Sequence, residues 1–370
     1  MLRGVKLRNF KCFVSAEVPL EKLTVFAGQN GSGKSSTLQA MLVLRQSHQA
    51  GYLESGRLLW SGDLVDLGGA SEVLCQAADQ DCIELHLKTD SGDVDFNFDY
   101  DRESRGLLPG RFSNNVVGVL SSSLFSQQFM YVRAERIGPR KILPASDSKI
   151  SSNDIGSLGE YVVHHIHART GEISSADPRH SVEAISSSFI HQLNGWLDKV
   201  SPGGEVEISL VSQADAAIGG FSFKQEGDVN TRVFRSTNVG FGLSYCLPVI
   251  FSLLASDEGS LVIIENPEAH LHPSGQTHLG RLAARAAAAG VQVIVETHSD
   301  HFLNGVRIEA KAGTLQASAC AINYFSRSGA IAKVDSPTLD EEGRLSHWPR
   351  GFFDQHEMNL ATLLAPKRAK

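Results

Sequence analysis

Gly28-Gln29-Asn30-Gly31-Ser32-Gly33-Lys34-Ser35-Ser36 is the stretch on which the reading of this sequence turns. It carries G-x-x-x-x-G-K-S in every fixed position. The glycines let backbone N–H groups close around a phosphate at a helix N-terminus, where the peptide dipoles favour negative charge. In that pattern Lys34 reaches the β- and γ-phosphates and Ser35 ligates Mg²⁺. A Gly-rich turn by itself could bind nothing, so its context decides. Leu23, Val25 and Ala27 alternate as a strand ending at the loop, and Leu38, Met41, Leu42 and Leu44 follow at helical spacing. Strand, loop and helix in that order make residues 28–36 a nucleotide site, with ATP and Mg²⁺ as its ligands.

Working outward, Leu2, Val5, Leu7 and Phe10, then Ala16, Val18 and Leu20, read as N-terminal antiparallel strands. From residue 238 the pattern sharpens into a helix near 242–255, an apolar strand at 261–264, a helix near 273–289, a strand at 291–295 and a helix near 300–311. Strands alternating with helices around the loop predict an α/β fold with a mostly parallel sheet flanked by helices. Between the two ends lies a less regular α+β region. There, 82–88 and 93–100 read as a hairpin, 104–127 as a mobile loop and 129–133 as a buried strand. Helices are expected near 157–169 and 180–199, and strands near 205–212, 219–225 and 231–235. The organisation expected is an N-terminal lobe at 1–100, an inserted region at 101–235, a C-terminal lobe at 236–335 and a tail at 336–370.

The bulk properties narrow the function. The 370 residues carry a net charge of −7, which does not predict a nucleic-acid surface, so DNA contact is not expected from charge. Cys12, Cys75, Cys82, Cys246 and Cys320 are scattered and show no metal-ligand spacing, as in reduced cytosolic proteins. No leader is visible, and the longest apolar stretch, Leu243 to Ala255, is too short to span a bilayer. A soluble, cytoplasmic chain without a membrane partner is expected.

Leu261-Val-Ile-Ile264 followed by Glu265 delivers one carboxylate at the carboxyl end of a buried strand, where ligands sit in open α/β sheets. With Ser35, Glu265 is the expected metal-side residue. His270 and His272 form an HxH pair near His298, but no third ligand is placed, and a scaffold role is favoured over a metal.

Glu265-Asn-Pro-Glu-Ala-His-Leu-His-Pro273 resembles the EPE-x-HLHP segment of ABC-type ATPases related to RecF, SMC and OLD (overcoming lysogenization defect) proteins. Glu296-Thr-His-Ser-Asp300 is similar to their switch-histidine segment, and Asn9-Phe10-Lys11 to their N-terminal NFK element. Tyr131 to Arg140 and the tail Trp348-Pro-Arg-Gly-Phe-Phe-Asp354 look like motifs of a small bacterial OLD-like branch with AAA-type heads. The resemblance implies a P-loop ABC-type head that dimerises so that two chains sandwich two ATPs. Asn238-Val-Gly-Phe-Gly-Leu-Ser244 is similar to the signature segment that meets the partner's nucleotide. Asn238, Gly240, Gly242 and Ser244 are then nucleotide contacts beside Asn30, Gly31, Ser32, Gly33, Lys34, Ser35 and Ser36. A simple Gly-containing helix start stays the alternative. The same resemblance places Lys11 at the nucleotide and His298 at the γ-phosphate.

One departure bears on turnover. Where most such heads have a water-polarising Glu, this chain has Asn266, which cannot accept a proton. Either Glu268 supplies the base, or hydrolysis is slow and the chain works as an ATP-gated clamp. The family's Q-loop Gln is unassigned, because Gln76 sits at a poor spacing. OLD nucleases carry a further Toprim domain after the head, whereas about 70 residues follow His298 here. The expected role is therefore an ATPase that assembles with itself and regulates a separate effector, such as a nuclease in anti-phage defence. The alternative is a RecF- or SMC-like ATPase of DNA repair or chromosome maintenance.

Overall fold

The computed structural model describes residues 1–104, 106–112, 116–225 and 230–364, and within them the chain forms three sheets. Strands β1 (Leu2–Phe10), β2 (Phe13–Pro19), β4 (Arg57–Leu59), β5 (Cys82–Thr89), β6 (Gly92–Asp99) and β7 (Leu107–Phe112) make an antiparallel sheet in the order β2-β1-β5-β6-β7-β4. A second sheet carries β3 (Leu23–Gly28), β8 (Phe129–Val132), β13 (Leu261–Glu265), β14 (Gln292–Glu296), β15 (Cys320–Ser328) and β16 (Ile331–Asp335), in the order β16-β15-β3-β14-β13-β8. All its pairings are parallel except that of β15 with β16. The third contains β9 (Leu143–Pro144), β10 (Gly204–Val211), β11 (Ala216–Phe223) and β12 (Phe234–Arg235). The helices are α1 (Lys34–Gln49), α2 (Ala70–Val73), α3 (Val116–Leu120), α4 (Asp147–Ser151), α5 (Val162–Ala168), α6 (Phe189–Val200), α7 (Phe241–Ala255), α8 (Pro273–Ala288), α9 (Asp300–Lys311) and α10 (Gln355–Leu364).

The parallel sheet is buried on both faces, which is why its strands read as unbroken apolar runs. Alternation along them sorts side chains between two cores. Val262, Ile264, Val293 and Val295 pack with α6, α7 and α8. Leu261, Ile263 and Ile294 pack with α1 and the antiparallel sheet. Continuing that period of two, Glu265 and Glu296 share the face that carries α1. They are also register partners across β13 and β14. This places two carboxylates on the side of the loop at 28–36.

Several expectations shift. The stretch 104–127 was expected as a mobile loop, yet β7 pairs with both β6 and β4 within it. Long-range pairing decides there, which local composition cannot show; residues 105 and 113–115 lie outside the described residues. The helix expected at 157–169 begins only at Val162, because Gly156 and Gly159 hold left-handed φ of 75° and 74°. The helix expected at 180–199 begins at Phe189. Ahead of it, Ser181 N donates to Gln192 Oε1 over 2.6 Å in a folded-back turn. Strand β8 lies within the middle region 101–235 and runs beside β13 in the parallel sheet. Among the described residues no helix is long and apolar enough to cross a membrane.

Candidate functional site: a P-loop cavity

Strand β3 ends at Gly28, whose φ of 141° and close approach to the Phe325 carbonyl leave no room for a side chain. The chain then turns through Gly31 and Gly33, both with positive φ, into the first turn of α1. This loop walls a cavity of about 530 Å³ together with Lys11, Glu296 and His298. Asn30, Gly31, Ser32, Gly33, Lys34, Ser35 and Ser36 all line it.

Lys34 is buried, and its ammonium donates to the carbonyls of Gly28 and Gln29, each at 2.9 Å. Burial holds its pKa below the ordinary value, against the pull of Glu296 and Glu268. Lys34 therefore rests on its own loop, from which a phosphate would recruit it. The Ser32 hydroxyl is buried without a partner, an unmet polar group that a phosphate oxygen would satisfy. Lys11 stands at φ 53° and donates to Gln39 Oε1 over 2.8 Å at the rim.

Ser35 Oγ donates to Glu296 Oε1 over 2.8 Å, so the structure brings Ser35 to Glu296 rather than to Glu265. Lys34 Nζ lies 4.0 Å from the same oxygen. Burial first, and then the charge of Glu265, push the Glu296 carboxyl up to about 7. Glu265 instead accepts from Tyr131 Oη (2.8 Å) and Ala134 N (3.1 Å). Burial beside Glu265 pushes the Tyr131 phenol up, so it stays a donor. Glu296 was absent from the sequence-based candidates. The signal was present, since Val291 to Val295 followed by Glu296 repeats the pattern that identified Glu265.

The turn after β13 is held from below. Asn266 adopts φ 45°, its N–H donates to the Glu296 carbonyl over 2.8 Å, and Arg136 donates to the carbonyls of Glu265 (2.8 Å) and Asn266 (2.6 Å). Arg136 also lies over the Tyr245 ring of α7, 5.5 Å from its centroid. Burial pushes this guanidinium down to about 10, still charged at neutral pH.

Glu268 accepts from Thr297 Oγ1 (2.8 Å) and from His298 N (2.6 Å), so both its oxygens hold the switch segment. His298 itself is exposed and lines the cavity. Desolvation by the surrounding chain, and then the Lys34 ammonium, lower its pKa, which keeps it neutral at pH 7. His272 caps α8 by accepting from Ser274 N, and His270 packs its ring on Tyr245 with centroids 4.7 Å apart.

The segment with Asn238, Gly240, Gly242 and Ser244 does not line the P-loop cavity of its own chain. Gly240 caps α7 with open space around it, and the neighbouring Phe241 is 57% exposed. Gly242 has a packing role, since a Cβ there would meet the His270 carbonyl at 2.7 Å. The Ser244 hydroxyl is buried without a partner, directed inward rather than toward solvent. Sequence reasoning missed Arg327 and left Gln76 unassigned. Arg327 of β15 lines the cavity and donates to the Gly31 carbonyl over 3.1 Å, and Gln76 reaches the cavity wall despite its spacing. The bridge of Phe10 to Leu74 carries Gln76 there.

With this geometry in hand, comparison with known proteins is informative. Residues 98–304 match the family described as "AAA domain, putative AbiEii toxin, Type IV TA system". Residues 1–155 match "AAA ATPase domain", and residues 315–363 match a family described as a protein of unknown function (DUF3696). The chain is 24% identical over 332 residues to the OLD nuclease of Thermus scotoductus, covering 84% of this chain and 61% of that protein. It thus spans less than two thirds of that relative's length. Among solved structures, the fold resembles an Smc head domain with an extended coiled coil from Pyrococcus furiosus, bound to the C-terminal domain of ScpA. The TM-score is 0.51 at 15% identity, covering 98% of this chain and 99% of that one. A second Smc head, bound to the C-winged helix domain of ScpA, also gives 0.51 at 16% identity, covering 92% and 98%. The chain belongs to the family described as "AAA domain, putative AbiEii toxin, Type IV TA system", and its fold resembles that of Smc heads.

Proposed function

We propose that this chain binds ATP with Mg²⁺ at the P-loop, closes with a second copy around the nucleotide, and thereby controls a separate effector protein. The observation that carries the dimer is the separation of the two half-sites. The segment 238–244 lies outside the P-loop cavity of its own chain, so another chain must supply it to a nucleotide there. Gly240 at the start of α7 and the exposed Phe241 beside it present the surface such a contact would cover.

The residues fit the nucleotide and its metal. Ser32 offers an unmet hydroxyl, Lys34 a cation that can leave the Gly28 and Gln29 carbonyls, and Ser35 a lone pair that stays free while its proton bonds Glu296. Ser35, with the carboxylate of Glu265 behind it, would hold Mg²⁺. The bound ion supplies charge neutralisation at the phosphates. His298, neutral and exposed, would then meet the γ-phosphate as a hydrogen-bond partner. Turnover is expected to be slow, because position 266 offers no base and an acid on another strand would have to replace it.

The effector role rests on two supports. The relative matched across 84% of this chain is named a nuclease, which links such heads to nucleic-acid cleavage. Helix α10 also exposes Met358, Leu360, Leu363 and Leu364, an apolar surface that a partner would cover. A nuclease in anti-phage defence fits both. The RecF- or SMC-like alternative is favoured by the resemblance of the fold to Smc heads, and it requires DNA-stimulated hydrolysis.

Light scattering with and without Mg-ATP, run beside Lys34→Ala, tests the reading. A shift of the wild type to a dimer or larger assembly, absent in Lys34→Ala, supports the sandwich. ATP binding without any change of mass would remove it. Metal-dependent DNA cleavage by the purified chain alone would sink the separate-effector model.

A further inference from the structure

Asn266 leaves the head without its usual water-polarising carboxylate, and the neighbouring acids do not fill the gap. Both oxygens of Glu265 accept from protein donors, Tyr131 Oη and Ala134 N. Both oxygens of Glu268 do the same, from Thr297 Oγ1 and His298 N. Neither residue is among the walls of the P-loop cavity, whereas Glu296 is.

Glu296 differs from both in one further respect. Its Oε1 accepts from Ser35 Oγ, but its Oε2 is buried and has no hydrogen-bond partner. The residue is only 5% exposed. A buried polar atom left without a donor costs about 1–3 kcal/mol, and more when charged. Native structures rarely leave such an acceptor unmet. Glu296 lines the cavity, so a small turn of its carboxylate would bring this oxygen to a water there. Strand order sets the position: β14 lies between β3 and β13, so Glu296 sits one strand closer to the P-loop than Glu265 does.

We propose that Glu296 is the catalytic carboxylate of this head, holding the attacking water at Oε2 and standing in for the acid absent at position 266. This rests on the reading of the chain as an ATP-hydrolysing head. In the step, the lone pair of the water oxygen forms a bond to the γ-phosphorus. The bond from that phosphorus to the β–γ bridging oxygen breaks, and its electron pair leaves with ADP. One water proton passes to Glu296 and is returned to the departing phosphate, so that ATP and water give ADP and phosphate. Asn266 acts as a positioning residue, since its N–H fixes the Glu296 backbone carbonyl.

The experiment compares wild type, Glu296→Gln and Glu296→Asp in ATP turnover and in binding of a fluorescent ATP analogue, with and without Mg²⁺. The expected result for Glu296→Gln is a loss of turnover of about 10²–10⁴-fold, the range for a missing general base. Its affinity for the analogue should stay within about threefold of wild type in both conditions, under 1 kcal/mol. Glu296→Asp keeps the charge but withdraws it by one methylene. It should bind equally well and lose roughly 10²-fold in turnover, as a misplacement near 1 Å can cost. Glu296→Asp carries the test if Glu296→Gln does not fold. Parental turnover in either variant overturns the assignment. So does loss of the Mg²⁺-dependent part of binding alone, which would make Glu296 a metal ligand instead. A wild type that binds Mg-ATP without turning it over overturns it as well. A wild type that does not bind the analogue removes the underlying ATPase reading, an outcome distinct from the others.

Discussion

The hydroxyl of Ser35 donates to Oε1 of Glu296 across 2.8 Å, tying the first turn of α1 to the end of the neighbouring strand 261 residues further along the chain. The bond joins the phosphate loop to the only strand that separates it from Glu265. Thr297 and His298 follow directly on that strand end.

Replacing Lys34 with Ala removes the ammonium that the loop carbonyls hold in reserve. A charge-assisted contact contributes about 1.5–3 kcal/mol. ATP affinity should therefore fall by roughly 10–10²-fold, measured by titration with a fluorescent analogue. The fold should persist, because Gly28 and Gln29 line a second surface pocket, beside Tyr324 and Arg350, from which water can reach the loop.

Glu268→Gln distinguishes a positioning role from a base. The amide offers one acceptor oxygen where the carboxylate gives two, so if it keeps His298 N, Thr297 Oγ1 must change from donor to acceptor of the amide N–H. Turnover should drop by about tenfold rather than by the 10²–10⁴-fold of a lost base. Faster amide exchange at residues 297–299 should accompany it. Unchanged exchange with a base-sized loss of turnover would return Glu268 to the chemistry.

Glu296 gives the nucleotide-free chain a pH-dependent stability. Its carboxyl is raised to about 7 in the fold, so the folded state binds a proton that the unfolded chain has already released. The sign follows: stability is greatest at low pH and falls as pH rises from about 4.5 to about 7, by up to about 3 kcal/mol at 1.36 kcal/mol per unit. Thermal melts between pH 5.5 and 8 should show this slope, and Glu296→Gln should flatten it.

Arg136 is expected to be structural in effect. Its guanidinium serves the carbonyls of Arg133, Glu265 and Asn266 inside the protein. Arg136→Ala removes a donor from each of these carbonyls, leaving Asn266 with only Ala269 N, and opens a void under Tyr245, costing about 3 kcal/mol or more. The midpoint of urea denaturation should fall accordingly.

Gly240→Asp tests the dimer surface without disturbing the monomer. Nothing lies within 4 Å of a Cβ at this position, and its backbone is one that any residue adopts. The added carboxylate would face the partner's phosphate. ATP binding and melting temperature should hold while ATP-dependent assembly is lost. Gly242→Ala should instead destabilise the monomer, because its Cβ meets the His270 carbonyl.

Those parts of this protein that are local in the chain were legible from its residues alone. Residues 28–36 needed only their own glycines, Lys34 and Ser35 to declare a phosphate loop, and β13 and β14 showed themselves as parallel strands through unbroken apolar runs buried on both faces. Helices α8 and α9 were legible through a steady period over many residues, and α7 through the length of its apolar run. Strand β7 was not, because its pairing with β4 and β6 depends on residues far away in the chain. The same limit applies at the site. Sequence identified the acids at 265 and 268 but could not show that protein donors occupy both oxygens of each. Only the tertiary structure decided that, by setting β14 beside β3 and leaving one buried oxygen of Glu296 without a partner. Strand order and side-chain pairing are properties of contacts across hundreds of residues, and no local pattern encodes them.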